Sequence, residues 1–232
     1  MEKRCFAHAP YLVNPASGDP DLRDRSSELL VDQLERARLL GLAGVVVHPG
    51  AHGGDGPEKG LRRAAVALAA VLERAPEGPR LLLEVTAGQG TVLGSSFREL
   101  GRLLEELPRD RVGICWDTAH LWGAGYDLTT DEGWEDLWGE FTARTGETAP
   151  LLVHLNDTVV ERGSRKDRHE RIGHGALGAE TFRRVVTDPR LAGVPMVLET
   201  PKGPPGEDWD REALDLLRRL CRDSTPRIGD SR

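Results

Sequence analysis

The 232-residue sequence predicts an α/β protein, a TIM-type (β/α) barrel of about six strands and six helices that lacks its first two βα units. Three observations predict it. Short apolar runs recur along the chain, and most are followed by a stretch with helical spacing, the pattern of parallel strands joined by crossovers. In five of the apolar segments the residue that closes the run is a histidine or a carboxylate. That is the carboxyl end of a buried strand, where sheets and barrels of this class place their chemistry. Nothing reads as a linker or a repeat, so residues 1–222 form one domain and 223–232 a polar C-terminal tail.

The elements follow in order. A strand over 4–8 ends CFAH at His8, and a helix over 24–40 sets Leu29, Leu30, Leu34 and Ala37 at helical spacing. A strand over 44–48 closes in His48, and a helix over 58–75 follows. The strand over 80–85 carries Glu84 and runs into TAGQG, residues 86–90. That segment is either an ordinary tight turn or a surface of backbone N–H groups for an anion. The helix over 96–106 takes Ser95 or Ser96 as its cap. The strand over 112–116 leads into Asp117 and, three residues on, His120. Trp116 reads as core or pocket wall, and Cys115 as an inert buried thiol without a basic neighbour. A helix over 131–145 precedes the strand over 151–155, which carries His154 in LLVHLND. A loop over 163–175 holds Asp167 and His169 among Arg165, Lys166, Arg168 and Arg171. Its basic residues are either a solvated face or a phosphate-facing rim. A helix over 178–187, a strand over 195–199 with Glu199 at its end, and a helix over 207–221 complete the chain.

A closed barrel needs eight such units in about 250 residues, and six are present. The two absent units belong at the front, because the chain opens almost directly on a strand that already ends in His8. A misassigned start, a fragment and a divergent open barrel all fit. An open barrel would leave two strand edges unpaired, which invites association.

The polar strand ends share one chemistry. His8, His48, Glu84, Asp117, His120, His154, Asp167, His169 and Glu199 supply five imidazoles and four carboxylates to one rim. A lone histidine there is most often a hydrogen-bonded structural residue, but five with four carboxylates are not all explained so. Burying unpaired carboxylates is expensive, and divalent cations are the simplest compensation. Nine nitrogen and oxygen donors exceed one ion and suit two or three zinc-like ions, Zn²⁺ or Mn²⁺. Asp167 and His169, two apart, suit one ion with His120 as a third ligand. His52 and His174 lie on glycine-rich loops and read as supporting residues.

The net charge of −7 taken alone disfavours a nucleic-acid partner, although three divalent ions would reverse the sign locally. Three widely spaced cysteines without a C-x-x-C fit a reducing compartment. No signal-peptide pattern and no spanning apolar run are present, so a cytoplasmic protein without a membrane or obligate protein partner is expected.

The ordered set HAPYLVN, VVHPGAH, EVTAGQGTVLG, CWDTAHLWGAGYD, HLND, SRKDRHERIGHGALG and VLETP resembles the endonuclease IV family of apurinic/apyrimidinic endonucleases. The resemblance runs from residue 5 to about 205 and belongs to the xylose-isomerase-like TIM-barrel superfamily. It implies a zinc phosphodiesterase of base-excision repair that cuts double-stranded DNA 5′ to an abasic site with a hydroxide held between metal ions. It implies three zinc ions, with Mn²⁺ acceptable. His8, His48 and a bridging Glu84 would hold the first. Glu84, Asp117, His154 and Glu199 would hold the second, and His120, Asp167 and His169 the third. Glu84 and Glu199 would be catalytic. Tyr11 and Leu12 match the loop that enters DNA at the lesion, and Arg165 and Arg168 would contact the backbone. The family's E-N-T reads Glu84-Val85-Thr86 here, and its first two βα units have no counterpart. Two other functions remain in view, a divalent-metal sugar isomerase or epimerase of the same superfamily and a non-catalytic remnant that binds metal or damaged DNA.

Overall fold

Period-two alternation along short apolar strands sorts their residues into two layers, and the architecture follows from that sorting. A computed structural model describes residues 5–223. Strands β1 (Phe6–His8), β2 (Gly44–Val47), β3 (Arg80–Glu84) and β4 (Val112–Asp117) alternate with helices α1 (Pro20–Leu39), α2 (Pro57–Arg74) and α3 (Phe97–Glu106), and two helices, α4 (Thr118–Ala124) and α5 (Asp131–Thr145), lead from β4 to β5 (Leu152–Leu155). Two-residue strands β6 (Asp157–Thr158) and β7 (His169–Glu170) follow, then α6 (Gly178–Thr187), β8 (Met196–Leu198) and α7 (Trp209–Asp223). The six longer strands form one parallel sheet in the order β1-β2-β3-β4-β5-β8, and β6 pairs with β7 antiparallel apart from it. Among the described residues β1 and β8 are the edges of an incomplete barrel.

Outward-facing residues Val45, Val47, Leu81, Leu83, Ile114, Trp116, Val153 and Leu155 pack under the helices with Leu30, Leu34, Leu68, Leu100 and Phe141. Each fully buried aliphatic side chain contributes about 1.5–3 kcal/mol. Trp116 anchors an aromatic cluster, with ring centroids 4.8 Å from Trp138 and 5.0 Å from Phe141. Inward-facing residues form a second, smaller layer of Val46, Leu82, Cys115 and Leu152, with Phe6, Leu151 and Val197 against it. Two positions further along each strand the same inner face carries His8, His48, Glu84, Asp117, His154 and Glu199. The strand period therefore seats one polar residue above one apolar residue on all six strands.

The helices start where local chemistry starts them. Asp19 caps α1 through a bond from the Asp21 N–H (3.0 Å), with Pro20 in the first turn. The helix thus begins four residues before its expected start, because its first turn has Leu22 as its one aliphatic residue besides Pro20 and shows no apolar stripe. Leu29 is 40% exposed, so the buried face is Leu30, Leu34 and Ala37 without it. Ser96 caps α3, and Glu99 three residues on turns back to the Gly94 and Ser95 N–H groups. Helix α4 was not expected from the sequence. It follows β4 with no loop, and Gly125 ends it at φ 114°, a left-handed conformation that favours glycine. Of the expected polar tail, Asp223 closes α7 and 224–232 lie outside the described residues.

Candidate metal centre

Glu84 is the hub of the rim. Its carboxylate is fully buried at the end of the central strand β3. Oε2 lies 2.8 Å from His8 Nε2 and 2.9 Å from His48 Nε2. Oε1 lies 2.9 Å from His154 Nδ1 and 3.5 Å from His120 Nδ1. His154 Nδ1 also lies 3.0 Å from Glu199 Oε2 and 3.9 Å from Asp117 Oδ2. On the other side His120 Nε2 and His169 Nε2 stand 3.3 and 3.2 Å from the two oxygens of Asp167. The two ends of the open sheet, His8 on β1 and Glu199 beyond β8, line one hollow with His48, Glu84, His120, Asp167 and His169.

Donor atoms close enough to share one ion fall into groups. These are His8, His48 and Glu84, then Glu84, Asp117, His154 and Glu199, then Asp117, His120 and His169. A further group of Glu84, Cys115 and His154 includes a thiol that burial pushes up to about 12, so Cys115 is a neutral wall and a poor ligand.

Backbone carbonyls orient the rings. His8 Nδ1 contacts the Ala9 carbonyl (2.8 Å), His120 Nδ1 that of Val85 (2.9 Å) and His169 Nδ1 that of Glu199 (3.2 Å). A proton held on each Nδ1 leaves the Nε2 lone pair facing the hollow, as metal-ligating histidines require.

The electrostatics show a site that demands positive charge. Burial opposes ionisation of Glu84, yet imidazoles on every side, His120 and His154 foremost, hold it well below the usual carboxylate range. Contacts from His120 and His169 lower Asp167 strongly. Burial and Asp167 act in opposite directions on His169, and the carboxylate prevails, raising it to about 9. His154 and His120 are likewise raised against the cost of burial. Without metal, protons on the imidazoles balance the carboxylates. His169 Nε2 is buried in this space without a well-formed hydrogen bond, held only by ion-pair contacts with Asp167 Oδ1 (3.2 Å) and Asp117 Oδ2 (3.6 Å). A buried nitrogen without a hydrogen bond, four carboxylates and an all nitrogen-and-oxygen donor set fit divalent ions better than protons.

The rim around the hollow is built from loops. Asn14 ties the loop after β1 to the turn after β2, bonding Ala51 through both ends of its amide (2.9 and 3.1 Å). That loop presents Tyr11 and Leu12 at 78% and 79% exposure. Tyr11 also donates to Asp167 Oδ2 (3.0 Å), so the Tyr11 side chain leans over the ligands while Leu12 stands free. Arg165 and Arg168 are exposed, and Arg168 lines the recess beside His48 and His120. His52 accepts from the Gly54 and Gly56 N–H groups as a loop residue, and His174 lies on the loop before α6.

Sequence reasoning missed three supports. Thr118 exchanges two hydrogen bonds with the Asn156 backbone (2.7 and 2.9 Å). Asn156 is fully buried between Asp117 and Glu199. Asp157 accepts from the backbone N–H groups of Thr158, Gly173, Gly175, Leu177 and Gly178, which folds the loop beyond β7 onto the barrel. Gly175 is required there, because a Cβ would lie 2.3 Å from the Thr158 carbonyl oxygen. Polar Asn-Asp directly after the apolar strand β5 was the available signal.

Fold and rim together define a class, a TIM-barrel protein with ligand groups for metal at its strand ends. Residues 3–220 match the family described as xylose isomerase-like TIM barrel. Probable endonuclease 4 of Chloroflexus aurantiacus is 46% identical over 217 residues, 92% of this chain and 75% of that protein. Its counterpart in Halorhodospira halophila is 44% identical over 228 residues, 97% of this chain and 76% of that protein. The crystal structure of endonuclease IV from Thermus thermophilus superposes with a TM-score of 0.81 at 35% identity, over 95% of this chain and 77% of that one. A D-tagatose 3-epimerase-like protein, 21% identical with a TM-score of 0.75, shares the fold. The chain belongs to the xylose isomerase-like TIM-barrel family and, within it, to the endonuclease IV nucleases. Among the described residues no helix is long and apolar enough to cross a membrane.

Proposed function

We propose that this protein is a cytoplasmic, zinc-dependent apurinic/apyrimidinic endonuclease of base-excision repair that hydrolyses the phosphodiester 5′ to an abasic site in duplex DNA. The observation that carries this reading is the convergence of nine side chains, drawn from both edges and the centre of the sheet, around Glu84 and its hollow, seven of them lining it and Asp117 and His154 within ligand-group distance. His8, His48 and Glu84 would hold a first ion. Glu84, Asp117, His154 and Glu199 would hold a second, and His120, Asp167 and His169 a third, with Mn²⁺ acceptable in place of Zn²⁺. When bound, such ions supply a water that ionises near neutral pH and a positive field on the phosphate.

The chain's own residues do the rest. Glu84 spans the first two groups with one oxygen each and fixes their separation. Glu199, one-third exposed at the mouth of the hollow, orients the attacking water towards phosphorus. Four carboxylates against three divalent ions leave about two net positive charges, enough to draw a phosphate to an otherwise acidic protein. Arg165 and Arg168 hold the DNA backbone at the rim, and Tyr11 and Leu12 enter the duplex at the lesion. An abasic nucleotide is unpaired, so extruding it costs less than flipping an intact pair.

The test sets nicking of a labelled abasic duplex beside ketose–aldose interconversion, both with zinc-replete protein. A single cut leaving a 3′-hydroxyl and a 5′-deoxyribose phosphate is expected. Interconversion without nicking would replace this reading with a sugar isomerase, and lesion binding without nicking would replace it with a non-catalytic binder.

A further inference from the structure

The side chain of Asn156 is fully buried against Asp117 and the backbone of Glu199. Its Nδ2 donates to Asp117 Oδ2 at 2.6 Å, and its Oδ1 accepts from the Glu199 backbone N–H at 3.0 Å. One planar amide therefore ties the end of β4 to the end of β8, which are not neighbours in the sheet. The amide is itself held in place, because the Thr118 hydroxyl binds both backbone groups of Asn156.

The position of Asp117 shows what this achieves. Its Oδ1 accepts from the His120 N–H (2.9 Å) as the cap of α4. Its Oδ2 lies 3.6 Å from His169 Nε2, 3.8 Å from His120 Nδ1 and 3.9 Å from His154 Nδ1, between the second and third ligand groups. Rotation of this carboxylate would move an oxygen out of both. One bond to each oxygen blocks rotation and leaves a lone pair on each free. The bond to the Glu199 N–H fixes the strand end from which the Glu199 carboxylate reaches His154.

We propose that Asn156 is a positioning residue, an amide clamp that sets Asp117 and Glu199 at the geometry a divalent ion needs. The clamp rests on the metal-dependent reading above and adds a residue that contacts neither ion nor DNA. Supporting partners of this kind change metal affinity or activity by about 10–100-fold.

The test compares the full chain with Asn156→Ser and Asn156→Asp. Serine is too short to span both partners. Aspartate keeps the acceptor for the Glu199 N–H and loses the donor to Asp117. Melting in chelator establishes that each variant folds. Each folded variant is expected to bind Zn²⁺ about 10–100-fold more weakly at one site. The visible spectrum of its Co²⁺-loaded form should change, and kcat on abasic duplex should fall in step while KM is held. A lowered melting temperature with parental zinc affinity, Co²⁺ spectrum and kcat overturns the proposal. Should neither variant fold, the parent decides by nuclear magnetic resonance. The Asn156 amide protons should exchange slowly and shift on zinc addition, and a fast-exchanging, zinc-insensitive amide overturns the clamp. A parent that binds zinc but leaves abasic duplex intact would remove the nuclease reading alone, because affinity and spectrum are read without DNA.

Discussion

The centre of the rim and its periphery are built differently. At the centre Glu84, Asp117 and His154 are at most 2% exposed, on three adjacent strands. At the periphery the side chains of His8, Asp167 and Glu199 are 31%, 29% and 33% exposed. His8 and Glu199 come from the two sheet edges, and Asp167 from the loop that ends in β7. The central carboxylates are also held by protein hydrogen bonds, Asp117 by two. A rigid centre fixes the spacing of the ligand groups, and an accessible periphery meets the substrate. Loss at the centre should therefore cost assembly of the first two ligand groups, whereas loss at the periphery should cost turnover or a single ion.

Glu84→Gln tests the centre and carries the largest expected effect. Removing one partner of a buried charge set costs about 3–5 kcal/mol. Zinc in the first two groups should fall to trace by elemental analysis, with nicking lost. Retention of three ions would break the comparison. Glu199→Gln comes next. Turnover should drop by about two orders of magnitude, as for loss of one charge-stabilising contact, with the fold intact. Near-normal nicking by that variant would defeat its assigned role. Asp167→Asn should lower the metal content from three ions towards two, with little change in melting temperature because the loop is exposed. Three ions by elemental analysis would refute the third site.

The pH dependence sharpens the same contrast. In metal-free protein His169 is raised from 6.5 to about 9 by its carboxylate neighbours, against the effect of burial. Its contribution to stability is present in full below pH 6.5 and is lost as pH rises through about 9. The melting temperature in chelator should fall across that window, and zinc should abolish the fall by taking the place of the protons. A flat profile in chelator would show that the imidazole is not paired. Leu12→Ala should have the smallest effect, a roughly ten-fold rise in KM for abasic duplex at unchanged zinc content, since burial of one aliphatic side chain, about 1.5 kcal/mol at the low end, is at stake.

Much of this was legible in the chain. Among the described residues, all six sheet strands and six of the seven α-helices fall where apolar periodicity places them, and the ligand candidates at the strand ends are their terminal polar residues. Such a residue is visible because it interrupts a pattern. Helix α4 was not legible, because seven residues that start directly on a strand show no stripe. Asn156 and Asp157 were passed over for a different reason. They act through single hydrogen bonds to partners up to 43 positions away, and such bonds leave no periodic trace. Pairing of β6 with β7 was hidden too, because two-residue strands have no alternation to read.

The apolar layer beneath the ligands has a consequence of its own. Val46, Leu82, Cys115 and Leu152 stop the hollow like the base of a flask. Solvent reaches the ligands from the rim or along the open edge between β1 and β8, and a DNA strand seated on the rim would cover the first of these.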